Sequence, residues 1–146
     1  MMVAKLSPDP KMANVLGLDV GQKKIGVAIG DVETKLAFPR PALLLTDYRQ
    51  AWPALRDLVA SEHISTIIIG LPLDTNGGQS AQASWVQQFA DELKQHVSVP
   101  VVLHDERYST QAVQREQQSA GRKLSRGQED SLAAQLLVES YLQSRP

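Results

Sequence analysis

Apolar positions fall in short blocks along the chain, and the period within the blocks changes. Val15–Asp19 and Ile25–Ile29 are compact apolar runs separated by Gly21-Gln22-Lys23-Lys24, the pattern of an antiparallel hairpin. After a turn-like stretch at 31–39, Pro41–Leu45 predicts a third strand. Asp47 and Gln50 have capping-box spacing and open a helix in which Trp52, Leu55, Leu58 and Val59 recur at helical intervals. Thr66–Gly70 is β-branched and does not alternate, as expected of a strand buried on both faces. A turn at 74–78 leads into a helix with Ala81, Trp85, Phe89 and Leu93 on one face. Val99–Leu103 predicts a fifth strand. A helix follows near Ser109, and a last helix opens at Ser125, with Gln128 at capping-box spacing. This order predicts an α/β fold with a mixed five-stranded sheet. Strands 1–3 are antiparallel, strands 4 and 5 run parallel to strand 1, and helices cover both faces.

The length of 146 residues suits one domain, expected over 13–146. Residues 1–12, with two prolines and no continuous apolar segment, read as a flexible extension and not as a secretory leader. The absence of cysteine excludes disulfides, thiolate metal sites and a cysteine nucleophile, and makes a reducing cytoplasm the expected compartment. No apolar run is long enough to span a bilayer as a helix. With a net charge of −1, any phosphate-binding surface must be local. Candidates are Lys23 and Lys24 in the hairpin turn, Arg107, and the cluster Arg115, Arg122, Lys123 and Arg126, for which a solvated face is the competing reading.

Functional groups in open α/β sheets collect at the carboxyl ends of strands. Asp19 ends the first strand, and Asp105 and Glu106 end the fifth. An acid within an apolar strand is costly to bury unless it is paired or binds a cation. Asp130 shares a helical face with Ala133, Ala134, Leu137 and Tyr141, so it is expected to look inward. Carboxylates from separate elements suit Mg²⁺ or Mn²⁺, hard cations that prefer oxygen ligands. Two such ions about 3.5–4 Å apart can drive phosphodiester hydrolysis. Each acid also has a plainer reading: Asp19 as a turn cap, Asp105-Glu106-Arg107 as a solvated loop, Asp130 as a helix-dipole partner. His63 and His96 read as surface residues near helix ends, and His104 as a packed strand-end residue. Gly17, Gly21 and Gly26 around Asp19 would admit a close phosphate backbone, or serve tight hairpin geometry.

Four segments in order resemble one family: Leu16-Gly-Leu-Asp-Val-Gly-Gln-Lys-Lys-Ile-Gly-Val-Ala28, Gly70-Leu-Pro-Leu73, Asp105-Glu-Arg-Tyr-Ser-Thr110 and Asp130-Ser-Leu-Ala-Ala134. The sequence is similar to the YqgF family, also called RuvX or Holliday junction resolvase-like, over about residues 14–143. The resemblance implies a ribonuclease H-like fold, a cytoplasmic location and a nuclease that matures the 5′ end of pre-16S rRNA. An older assignment is the resolution of branched DNA. It also implies that the family's acids fall on Asp19, Glu106 and Asp130, with Asp105 a further candidate ligand. Tyr108, where the family usually carries an aliphatic residue, and Gln128-Glu129 ahead of Asp130 depart from the pattern without removing a ligand. The expected partner is structured RNA or branched DNA, engaged by a monomer or homodimer and with no membrane. A non-catalytic RNA-binding ribosome-assembly factor is the alternative of a different class. An actin-like ATPase also opens with Asp-x-Gly, but such enzymes generally need two copies of the domain.

Overall fold

The computed structural model describes residues 13–72, 80–105 and 131–144. Five strands form one sheet: β1 (Asn14–Val20), β2 (Lys24–Asp31), β3 (Ala37–Leu44), β4 (Ile64–Leu71) and β5 (Val101–Asp105). The order across the sheet is β3-β2-β1-β4-β5. β1–β2 and β2–β3 are antiparallel, and β1–β4 and β4–β5 are parallel, as the sequence predicts. The helices are α1 (Ala51–Ser61), α2 (Ala81–Leu93) and α3 (Leu132–Gln143).

Side-chain alternation along the strands divides the core in two. Leu16, Leu18 and Val20 of β1, with Ile67 and Ile69 of β4, pack under α1 and α2 through Leu55, Val86, Phe89 and Leu93. Val15, Ala28 and Ile68 face the other way, onto Ala134, Leu137, Val138 and Leu142 of α3. Ile67 to Ile69 are fully buried, so the non-alternating run is the central, doubly covered strand it reads as.

Several boundaries move for local reasons. β3 begins at Ala37, ahead of the predicted Pro41, and carries Pro39 and Pro41 within it. That is tolerated because β3 is an edge strand, where a missing N–H can face outward. β5 starts at Val101 rather than Val99, after Pro100, whose carbonyl accepts from the Ile67 N–H at 2.9 Å. The capping box at Asp47 and Gln50 is present, but it closes a single 3₁₀ turn at Tyr48–Gln50 before α1 begins.

The helix faces also rotate. The buried stripe of α2 is Ala83, Val86, Phe89, Ala90 and Leu93, while Ala81 is exposed and Trp85 half-buried. Repeated steps of four drift about 40° each around a helix, so a stripe must mix steps of three and four. In α3 the buried set is Leu132, Ala134, Leu137, Val138 and Leu142, with Ala133 and Tyr141 half-buried. The apolar face is therefore turned toward Val138 relative to the face predicted for Asp130. Asp130, Ser125 and the helix expected near Ser109 lie outside the described residues.

Candidate active site

Asp19 is the penultimate residue of β1 and pairs with Gly26 of β2. Leu18 pairs with Ile69, Ile69 with Leu103, and Gly70 with His104, so Asp19 stands level with the Gly70–His104 row. The carboxyl ends of β1, β4 and β5 share one edge of the sheet, and α2 starts on the chain just beyond β4. By alternation from Val15 and Gly17, Asp19 belongs to the α3 face.

Asp19 borders an open hollow of about 350 Å³ with Gly21, Gln22, Lys23, Lys24, Gly26 and Gln82 among its walls. Its carboxyl is pushed above the usual 3.8 because burial penalises the charged form, and the Lys24 ammonium opposes that shift. A carboxylate so placed is stabilised by a cation, and oxygen is the donor that Mg²⁺ and Mn²⁺ prefer. Asp19 thus offers one oxygen donor of the kind such an ion takes. Among the described residues no three His, Asp or Glu side chains converge. Glu106 and Asp130 lie outside those residues, as do Arg107, Arg115, Arg122, Lys123 and Arg126.

Lys23 and Lys24 are exposed at the tip of the β1–β2 hairpin, as predicted. Gly21 is committed to that turn: its N–H donates to the Lys24 carbonyl at 2.9 Å, and a Cβ would stand 2.8 Å from the same oxygen. Gly17 serves packing instead of substrate, because a Cβ there would collide with the Val138 side chain and lie 3.2 Å from the Ala134 carbonyl. Of the three, Gly21 and Gly26 line the hollow beside Asp19. Asp105 closes β5 and pairs with Leu71. His104 is held against α3, its Nε2 3.4 Å from the Ser140 hydroxyl and its ring edge-on to Tyr141. His63 is exposed after α1 in the left-handed region, at φ 54°. His96 is not a free surface residue: it stacks on Trp52 at 4.7 Å.

Two features escaped the sequence reading. Gln82, in the first turn of α2, donates from Nε2 to the Val20 carbonyl at 3.0 Å and so joins α2 to the end of β1. The second is a neighbouring hollow of about 390 Å³, lined by Gln22, Lys23, Thr46, Asp47, Tyr48 and Trp85. Asp47 there is held down to about 2 by the hydrogen bonds and charge of Arg49.

The profile of the family described as "RuvX: Holliday junction resolvase" matches residues 13–144, which include the hairpin, the Asp19 strand and α3. The chain belongs to the RuvX family. A Rickettsia typhi protein named "Putative pre-16S rRNA nuclease" is 35% identical over 130 residues, covering 88% of this chain and 83% of that one. A protein of the same name from Chloroflexus aggregans is 35% identical over 133 residues, covering 90% and 94%. Among solved structures, Thermus thermophilus RuvC in complex with a Holliday junction superposes with a TM-score of 0.60 at 11% identity, covering 91% of this chain and 95% of that one. The large terminase nuclease of phage G20c superposes at 0.52 and 13% identity, covering 90% and 83%. Likenesses at such identity establish the fold of this RuvX-family chain, which is ribonuclease H-like.

Proposed function

We propose that the chain is a divalent-metal-dependent endonuclease that hydrolyses phosphodiesters in structured RNA, acting on the 5′ end of pre-16S rRNA. The observation that carries this reading is the half-buried Asp19 carboxylate beside an open hollow, at the sheet edge where the parallel strands end. The name borne by the Rickettsia and Chloroflexus relatives favours an rRNA precursor as substrate.

In this proposal Asp19, Glu106 and Asp130 hold the metal, with Asp105 a weaker candidate. β5 ends at the same sheet edge as Asp19, with His104 on the α3 face, and Glu106 is the residue that follows its last member. Asp130 adjoins Ser131, which is anchored to Val27 beside the Leu18–Val27 pair. A bound divalent ion would supply Lewis-acid charge to the scissile phosphate. Asp19 must be ionised to bind that ion, so a proton and the metal compete for the same carboxylate. Lys23 and Lys24 would take the flanking phosphates as point charges. Gln82 keeps the end of β1 fixed against α2, and so keeps Asp19 in place.

The same chemistry could act on DNA, because the reaction is at phosphate. The direct test is cleavage of a pre-16S 5′ fragment and of a four-way DNA junction, with Mg²⁺, with Mn²⁺ and with chelator. Metal-dependent cutting of the RNA, lost in Asp19→Asn with the fold intact, is expected. An Asp19→Asn protein that cuts as fast as the unaltered chain would end the proposal. Junction cutting with RNA left whole would transfer it to DNA. RNA binding that persists without metal, with no cutting under any divalent ion, would make the chain an assembly factor.

A further inference from the structure

We propose that the hollow lined by Tyr48 and Trp85 is a nucleobase subsite, holding one unstacked nucleotide next to the scissile phosphate. The inference rests on the nuclease reading and names how that site grips its strand. Gln22 and Lys23 line both this hollow and the Asp19 hollow, so the two are contiguous across the hairpin turn. That turn is pinned in place, because the Leu45 N–H donates to the Lys23 carbonyl at 2.8 Å.

The walls have the chemistry of a base site. Tyr48 and Trp85 meet edge-to-face with centroids 5.1 Å apart, and the Tyr48 hydroxyl donates to Glu92 at 3.2 Å, which fixes its ring. Among the described residues the buried Trp85 indole N–H has no hydrogen-bond partner. Behind them Trp52 stacks on His96 and lies against Phe89, and Tyr48 meets Trp52 edge-on while Trp85 leans on Phe89. The acid on the rim, Asp47, is neutralised by Arg49 at 2.7 Å and so repels phosphate little. Lys23 then lies where the phosphate joining the two nucleotides would pass, and the Gln22 amide can meet a base edge. Aromatic stacking tolerates any base, so the subsite selects an unpaired nucleotide and not a sequence.

The test uses the full chain in chelator, a short single-stranded RNA, and the same strand with one abasic nucleotide moved along it. Binding is read by tryptophan fluorescence and by anisotropy of the labelled RNA. Quenching is expected to survive Trp52→Phe and to vanish in Trp85→Phe. An abasic nucleotide at one position should weaken binding roughly 5- to 140-fold, and Tyr48→Ala should cause a similar loss that does not add to it. Should Tyr48→Ala fail to fold, Trp85→Leu, which keeps apolar bulk without an aromatic face, carries the same comparison. An abasic scan flat to within about twofold, or Tyr48→Ala and Trp85→Leu proteins that bind as the unaltered chain does, would overturn the subsite. The outcome separates from the nuclease reading. Cleavage that depends on Asp19 with a flat scan refutes the subsite alone, while a position-specific scan without cleavage supports it and refutes the nuclease.

Discussion

The Oγ of Ser131 accepts a hydrogen bond from the Val27 backbone N–H at 2.8 Å, across 104 positions of sequence. Ser131 is fully buried, and it stands directly before α3. Val27 lies where the β2–β3 register slips, and on its other side it pairs with Leu18, the neighbour of Asp19. One bond thus satisfies a backbone donor at an interrupted ladder and docks the start of the last helix on the strand pair of the site. Ser131→Ala leaves that N–H buried and unpaired, at about 1–3 kcal/mol. Urea unfolding should show a loss of that size, and an unchanged midpoint would mean that the bond contributes nothing.

Close approach of α3 to the sheet depends on Gly17. A methyl group there meets the Val138 side chain and the Ala134 carbonyl, and the carbonyl belongs to helix backbone that cannot step aside cheaply. Gly17→Ala is expected to destabilise by about 1–3 kcal/mol through overpacking. Val138→Ala in the same protein should recover part of the loss, since it removes one of the two obstructions. A double variant no more stable than the sum of the single changes would show that the contact is not the cause.

The fold was legible because each strand is a short β-rich run bounded by turn residues, and because strand order follows from a hairpin and parallel crossovers. Asp19 was legible as an acid in an apolar strand. The face of α2 was not, because a repeat of fours through Ala81, Trp85, Phe89 and Leu93 imitates a stripe while winding around the helix. Tyr48 and Trp85 were also hidden. Each looks like a core residue of its own segment, and only the docking of the 3₁₀ turn against α2 makes them neighbours. Gln82 carries no local signal at all, since its role is a bond to a carbonyl 62 positions away.

Burial raises the Asp19 pKa above 3.8, with Lys24 opposing. The sign follows from linkage: a group easier to keep protonated in the folded state favours folding below its unfolded pKa. That contribution is lost as pH rises from there through the folded pKa. Asp19→Asn keeps the shape and removes the charge, so it should be more stable than the unaltered chain at neutral pH and no more stable below about pH 4. Mg²⁺ should raise the melting temperature of the unaltered chain near pH 7, and should do so less in Asp19→Asn. Equal stabilisation of the two by Mg²⁺ would remove Asp19 from the metal site.

The last strand sets Asp105 apart from the acid that follows it, Glu106. On β5 the His104 side chain meets Ser140 and Tyr141 of α3, so that residue lies on the same face as Asp19. Successive residues of a strand point to opposite sides, which assigns Asp105 to the α1–α2 side. Glu106, the next residue in the chain, is the acid that the family resemblance assigns to the metal. Glu106→Gln is therefore expected to reduce the cleavage rate by at least about 100-fold while Asp105→Asn retains most of it, because loss of a ligand removes charge stabilisation at the reacting phosphate. Single-turnover cleavage with both proteins at saturating RNA makes the comparison, with circular dichroism confirming that each is folded. If Asp105→Asn is the inactive protein and Glu106→Gln the active one, the ligand set passes to Asp19, Asp105 and Asp130.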